Sequence, residues 1–259
     1  VSVLTDRLSA ATPWAPIRHR DLLYLRTDGT EVLVIACDSD GGIGPKPHDV
    51  VPIGGYSLGR TAARVPLLEL LAAGAVPVAV SDTLAVEMDP TGRDIIAGVV
   101  DEIAMVGLGP DALTGSTEDN VPTVATGVGV TVIGRASLDM LRVGTSRPGD
   151  RLALVGRPKS APAHRFDHTD AEILHPGVVR DVLVVPGVVE ALPIGSRGPR
   201  AEADDLAAGV DATCRIPEWP VPPQDSGGPS TAMILTHRTD IEAIRAATDR
   251  PVWPLGALT

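Results

Sequence analysis

Aromatic residues make up only 2% of this 259-residue chain, so its core has to be packed with Val, Leu, Ile and Ala. Cysteine is nearly absent. Cys37 and Cys214 stand far apart in the sequence, which excludes a disulfide-built scaffold and fits free thiols in a reducing, cytoplasmic setting. No C-x-x-C pair or Cys/His cluster points to zinc. Positive charge is in deficit, with 22 Lys and Arg against 33 Asp and Glu and a net charge of −11. That balance excludes general nucleic-acid or anionic-membrane binding, which needs basic surface. It does not exclude a small anion that arrives with its own divalent cation. Long apolar runs are missing too. The best candidate, residues 67–80, is broken by Glu69 and Pro77 and falls short of the roughly 20 residues a membrane helix requires. No basic segment followed by an apolar run stands at the start of the sequence, so a secretory route is not expected.

Glycine, valine and alanine are plentiful, and their spacing predicts alternating strands and helices. Residues 21–37 read as a hairpin turning at Asp28-Gly29, and residues 56–73 as a helix whose stripe includes Leu58, Ala62, Val65, Leu68 and Ala72. Pro66 is expected to kink that helix or mark its true start. A strand over 76–86, a helix over 91–106, a turn over 115–120 and a strand over 124–133 follow. Beyond them the reading gives strands at 151–156, 188–194, 231–236 and 252–255. Helical stretches are expected within 169–185 and at 200–208 and 240–248, with an ordered Pro/Gly-rich surface loop at 216–230. The composition changes near residue 136. The expectation is an α/β (α+β) chain of two domains, 1–135 and 136–259.

The densest chemistry follows the apolar run 32–36. Asp38, Asp40, Gly41, Gly42, Gly44, Lys46 and His48 fall within eleven residues. Glycines let backbone approach a bulky ligand, aspartates hold a hard cation such as Mg2+, and an ammonium balances phosphates. The reading is a metal–polyphosphate loop, with His48 beside it to touch a nucleotide. It is not a Walker loop, because G-x-x-x-x-G-K-[ST] is absent. An ordinary Asp-Gly turn with a solvated lysine is the plainer alternative. Glu69 lies on the apolar stripe of its helix, where a lone carboxylate is costly. It either pairs with Arg60 or Arg64 or faces the Asp38 loop. Arg157, Lys159 and Arg165 lie in a Gly/Pro loop that reads as a solvated linker or as a lid.

Four segments resemble the aminoimidazole ribonucleotide (AIR) synthetase superfamily, which includes thiamine-monophosphate kinase and selenophosphate synthetase. They are residues 38–46, 68–77 (Leu-Glu-Leu-Leu-Ala-Ala-Gly-Ala-Val-Pro), 113–118 (Leu-Thr-Gly-Ser-Thr-Glu) and 149–156 (Gly-Asp-Arg-Leu-Ala-Leu-Val-Gly). The Gly-Gly-Ile-Gly loop, Glu69, Gly-Ser-Thr-Glu, the 195–198 Gly-Ser-Arg-Gly and the ending from 226–231 resemble the branch that includes α-ribazole kinase. The resemblance implies an ATP- and Mg2+-dependent kinase of a nucleoside-like alcohol. A cyclase or ligase of the same superfamily and a non-catalytic nucleotide-binding module are the alternatives. It implies Asp38, Glu69 and Glu118 as metal ligands. Asp38, Asp40 and Lys46 become the catalytic candidates, with either aspartate as the superfamily's own. Gly41, Gly42, Gly44, Lys46, His48, Gly115, Ser116, Thr117 and Asn120 become the nucleotide-binding candidates. Asp40 and Asp119 are the candidates for a general base. A homodimer that pairs its first sheets into a barrel is also implied.

Overall fold

The structure, a computed structural model, describes residues 2–259. A short helix, α1 (Val3–Ala10), precedes the first sheet. That sheet contains β1 (Pro16–His19), β2 (Leu22–Arg26), β3 (Glu31–Gly41), β6 (Val76–Leu84), β7 (Leu113–Thr117) and β8 (Gly127–Ser137) in the order β1-β2-β3-β8-β6-β7. Only β6 and β7 run parallel. A small ladder of β4 (Ile43–Gly44) and β5 (Val51–Pro52) closes the glycine-rich segment. Helices α2 (Gly55–Ala72) and α3 (Arg93–Ala104) supply the apolar stripes that pack with one face of the sheet into a single core.

The alternation in β3 explains which face is covered. Val32, Val34 and Ala36 are buried, whereas Leu33 and Ile35 are only half-buried and Cys37 is exposed. The same alternation carries on through Asp38 and Asp40. The strand therefore runs five residues past the apolar stretch that marked it in the sequence. Its partner is the reason: β8 pairs with β3 from Glu31↔Ser137 to Gly41↔Gly127, and backbone pairing is indifferent to side-chain polarity. Asp38 and Asp40 are thus strand residues on the covered face, and the loop begins only after Gly41. Residues 113–117 likewise form an edge strand rather than part of a turn.

Helices α2 and α3 touch backbone to backbone. A Cβ on Gly59 would stand 2.0 Å from the Ile95 carbonyl oxygen, and one on Gly98 would stand 2.1 Å from that of Tyr56. Beside this contact Glu102 is fully buried and bonds both Arg60 and Arg64. Pro66 sits inside α2 without ending it. The helix is packed on two sides, and that burial outweighs one missing hydrogen bond.

The second sheet has the order β10-β12-β9-β13-β11, built from β9 (Arg151–Val155), β10 (Val188–Pro193), β11 (Cys214–Arg215), β12 (Met233–His237) and β13 (Val252–Leu258). All its pairs are antiparallel. Helices α4 (Pro176–Leu183), α5 (Gly198–Ala208) and α6 (Ile241–Arg245) accompany it. A buried carboxylate and a half-buried guanidinium tie the intervening segment down. Glu190, 1% exposed, accepts from the amides of Gly144, Thr145 and Ser146, and Arg142 donates to the carbonyls of Leu183, Val188 and Val189. Helix α2 serves both halves: Leu67 and Leu70 belong to the first core, Leu68 and Ala72 to the second. Glu69 is held between them. Among the described residues no helix is long and apolar enough to cross a membrane.

Gly98→Ala is expected to force α2 and α3 apart and destabilise the protein by about 1–3 kcal/mol. Urea unfolding read by circular dichroism checks this against Gly109→Ala, whose Cβ would meet nothing within 4 Å and whose φ of −92° any residue adopts.

Candidate active site

Where the two halves meet, a cavity of about 760 Å³ opens between the β1–β2 hairpin, β3, α2, residues 160–167, the end of β10, α5 and residues 226–230. Asp38 and Asp40 line it from β3, two residues apart and so on one face of the strand, and Glu69 lines it from α2. The hairpin turn Arg20–Asp21 adds a fourth carboxylate, and α5 adds Glu202.

Burial and mutual repulsion oppose ionisation of this group. Burial raises Asp38, and the neighbouring Asp21 charge adds to the rise. Asp40 is pushed up to about 6 by burial and by Asp38. Glu69 is pushed up to about 8, first by burial and then by Asp21, Asp38 and Glu202. Its Oε2 is buried without a hydrogen-bond partner. The alternative ion pair with Arg60 or Arg64 does not form, because Glu102 takes both guanidinium groups. Unpaired acidic oxygens facing one another suit a hard divalent cation. Among the described residues, however, no three His, Cys, Asp or Glu side chains are gathered tightly enough to close on one ion as they stand.

The remaining sequence candidates lie outside the cavity lining. Lys46 bonds the Glu87 carboxylate and, at 3.2 Å, the Thr123 carbonyl. The Lys46 bond to Glu87, with one from Thr91, brings that carboxylate down to about 2. The glycine-rich loop is shaped by Asp49, which accepts from the Lys46 amide at 2.8 Å and from the Thr126 amide and hydroxyl at 2.7 Å. Gly44, at φ +150°, has no room for a Cβ, which would fall 2.4 Å from Thr126 Oγ1. Gly41 and His48 are exposed. Glu118 caps its own turn by accepting from the Asn120 and Val121 amides at 2.8 and 3.2 Å. Asp119 accepts from the Met88 amide and the Thr117 hydroxyl. Gly115 and Ser116 lie exposed on the edge strand β7. These groups sit where β3, β6, β7 and β8 end or begin, at the same end of the sheet as Asp40, but the structure does not bring Glu118 or Lys46 into the cavity with Asp38 and Glu69. Two of the three cations of the 157–165 loop are also engaged: Arg157 bonds Glu172 at 2.9 Å, and Lys159 bonds Asp170 and Glu172 at 2.7 and 2.8 Å.

Residues 19–136 match the family described as AIR synthase related protein, N-terminal domain. That match gives the chain an AIR synthase-related N-terminal domain over those residues. Solved structures of similar fold cover almost all of it. The tt0281 protein from Thermus thermophilus aligns with TM-score 0.68 at 14% identity, over 99% of this chain and 92% of that one. Thiamine-monophosphate kinase from Stenotrophomonas maltophilia K279a gives 0.63 at 15%, over 99% and 92%. Hydrogenase maturation protein HypE in complex with ATP gives 0.59 at 15%, over 90% and 78%. No curated protein matches the sequence.

Sequence reasoning missed two features of this site and, outside its lining, one buried acid. Arg20 and Asp21 form a two-residue hairpin turn without the Asn-Gly or Asp-Gly chemistry that announces one, and Arg20 carries a strained φ of +54°. Glu202 sits in a helix whose sequence reads as an ordinary solvated stripe. Asp82 is 2% exposed and lies in one row with Asp38, both opposite Val130.

The raised carboxylates fix a pH dependence. Glu69 and Asp40 bind protons more tightly folded than unfolded, so their contribution to stability is complete below about pH 4 and lost as pH rises. The loss runs from 4.5 to about 8 for Glu69 and from 3.8 to about 6 for Asp40. Each group costs at most about 1.4 kcal/mol per pH unit in its window. Metal-free protein is therefore expected to melt lower at pH 8 than at pH 5, and Glu69→Gln to flatten the upper part of that fall. Calorimetric melts across pH in EDTA check it.

Proposed function

We propose that this chain is an ATP- and magnesium-dependent kinase that phosphorylates a small nucleoside-like alcohol, with α-ribazole the first acceptor to test. The observation that carries the reading is the set Asp38, Asp40 and Glu69 lining one inter-sheet cavity, with Glu69 left unpaired because Glu102 holds both nearby arginines. Those oxygens fit Mg2+ in donor type, and the orphaned Glu69 Oε2 supplies a place for it. When bound there, the ion would offset the carboxylate repulsion and the charge of a triphosphate. The likeness to a thiamine-monophosphate kinase and to a HypE solved with ATP supports a nucleotide in this fold.

Phosphoryl transfer asks a protein mainly for positioning and charge neutralisation. In this reading Asp38 and Glu69 hold the cation. Asp40, which burial and Asp38 push up to about 6, is the group best placed to take the acceptor's proton near neutral pH. The Asp49-braced loop keeps Gly42 and Gly44 in the conformation that presents backbone to the nucleotide, with Lys46 drawn from Glu87 when phosphate arrives. Glu118, at the same end of the sheet, would join this set only by leaving the Asn120 and Val121 amides of its own turn. The chain works as a homodimer whose second copy covers the open sheet face carrying Leu23, Leu25, Leu33 and Ile35.

A 31P assay with ATP, Mg2+ and α-ribazole, with thiamine monophosphate beside it, is expected to show a new phosphomonoester. Release of inorganic phosphate alone would favour a cyclase or ligase, and tight ATP binding with no turnover a sensing module. Asp38→Asn is expected to weaken Mg2+-dependent ATP binding at least ~30-fold, a loss of about 2 kcal/mol; unchanged affinity removes Asp38 from the site. Sedimentation is expected to give a dimer for the native chain and a monomer for Ile35→Asp, since a charge buried in an apolar interface is unpaired.

A further inference from the structure

Two polar groups line the same cavity and have no role in the ligand set above. Tyr24 is 0% exposed, yet its hydroxyl has no hydrogen-bond partner. His19 Nε2 is buried without a partner as well. Both side chains line the cavity. They are diagonal neighbours on the β1–β2 hairpin, where Ile17 pairs with Tyr24 and His19 with Leu22, so they share one face at a separation that long side chains bridge. A buried hydroxyl left unsatisfied costs about 1–3 kcal/mol. Two such groups side by side in the wall of a cavity mark a place built to be completed by a ligand.

The surroundings define that ligand. Asp21, Glu69 and Glu202 border the site, and the arginines near it are already engaged. Arg18 donates to the Arg20 carbonyl at 3.4 Å. Arg20 approaches Glu190 at 3.8 Å and the Asp205 carbonyl at 3.4 Å. Arg197 bonds Asp205 and lies 3.6 Å from Glu202. A phosphate dianion placed here would meet carboxylates, and the one guanidinium lining the cavity without an acidic partner, that of Arg18, belongs to a residue that alternates to the other face of β1 from His19. Burial, with Arg20 and Arg7, lowers the His19 imidazole, and burial raises the Tyr24 phenol, so both are uncharged at neutral pH. Val65, Ala72, Val143 and Ala191 supply apolar lining beside them, suited to a ring.

We infer that His19 and Tyr24 form the acceptor subsite, and that it takes a phosphate-free, ring-bearing alcohol through hydrogen bonds to uncharged groups. This rests on the kinase reading for the meaning of "acceptor", but the binding it asserts stands apart from catalysis. It also divides the candidates: α-ribazole falls inside the class and thiamine monophosphate outside it.

The test is isothermal titration of the full chain, with Mg2+ and the ATP analogue AMPPCP present, using α-ribazole, adenosine, thiamine and thiamine monophosphate. At least one phosphate-free probe is expected to bind ~10-fold or more tightly than thiamine monophosphate. Tyr24→Phe and His19→Gln should each weaken that probe ~5- to 10-fold, the worth of one hydrogen bond, and leave AMPPCP affinity unchanged. Because the Tyr24 hydroxyl has no partner in the protein, Tyr24→Phe should keep or raise the ligand-free melting temperature; a fall would show a structural role instead. Preference for thiamine monophosphate, no binding of any probe, or full affinity in Tyr24→Phe would each overturn the assignment. Failure of the native chain to bind AMPPCP would overturn the ATP reading, and the same titrations without nucleotide would still decide the subsite.

Discussion

One carboxylate that cannot find a partner organises this molecule. Helix α2 lies between two cores, with Leu67 and Leu70 in one and Leu68 and Ala72 in the other, and Glu69 is pinned at the seam. It cannot swing to solvent without unpacking the helix. The nearby arginines of its own helix, Arg60 and Arg64, are committed to Glu102. The charges that act on it most are acids. A buried, unpaired acid of this kind is maintained only where it is neutralised, by a proton or by a cation.

The rest of the site follows from that constraint. The β3–β8 ladder runs beyond the apolar stretch and carries Asp38 and Asp40 onto the face that α2 covers, so three acids from two elements reach one cavity. The two-residue β1–β2 turn adds Asp21 from a third. At the same end of the sheet, Asp49 organises the glycine-rich loop through backbone amides, and Lys46 anchors it to Glu87. That lysine is a strut in the ligand-free protein. A phosphate would have to compete with a carboxylate for it.

Much of this was legible in the sequence, for identifiable reasons. Alternating burial and turn residues located β2, β3 and β6, near-continuous apolar runs buried on both faces located β9 and β12, and the 3.6-residue stripe located α2. Glu69 stood out as an acid where an apolar residue belongs, and Asp38 and Asp40 by their clustering with glycines and a lysine just after an apolar run. What escaped was information held by partners. The extension of β3 depends on β8, the strand character of 113–117 on β6, and the engagement of Lys46 on Glu87, 41 residues away. The β1–β2 turn escaped because Arg-Asp carries no turn signature, its strain being sustained by the sheet around it. Glu118 resembled a metal ligand in its motif, while its carboxylate is placed on its own turn.

The central claim is that Glu69 is an acid held out of its ordinary ionisation until a divalent cation joins it. Carboxyl 13C NMR titration of Glu69, without and with saturating Mg2+ and AMPPCP, measures this directly. The expected result is a midpoint near 8 in the metal-free protein and ionisation throughout the neutral range once metal and nucleotide are present. A midpoint near the ordinary 4.5 in the metal-free state, or a titration that ignores magnesium, would contradict it.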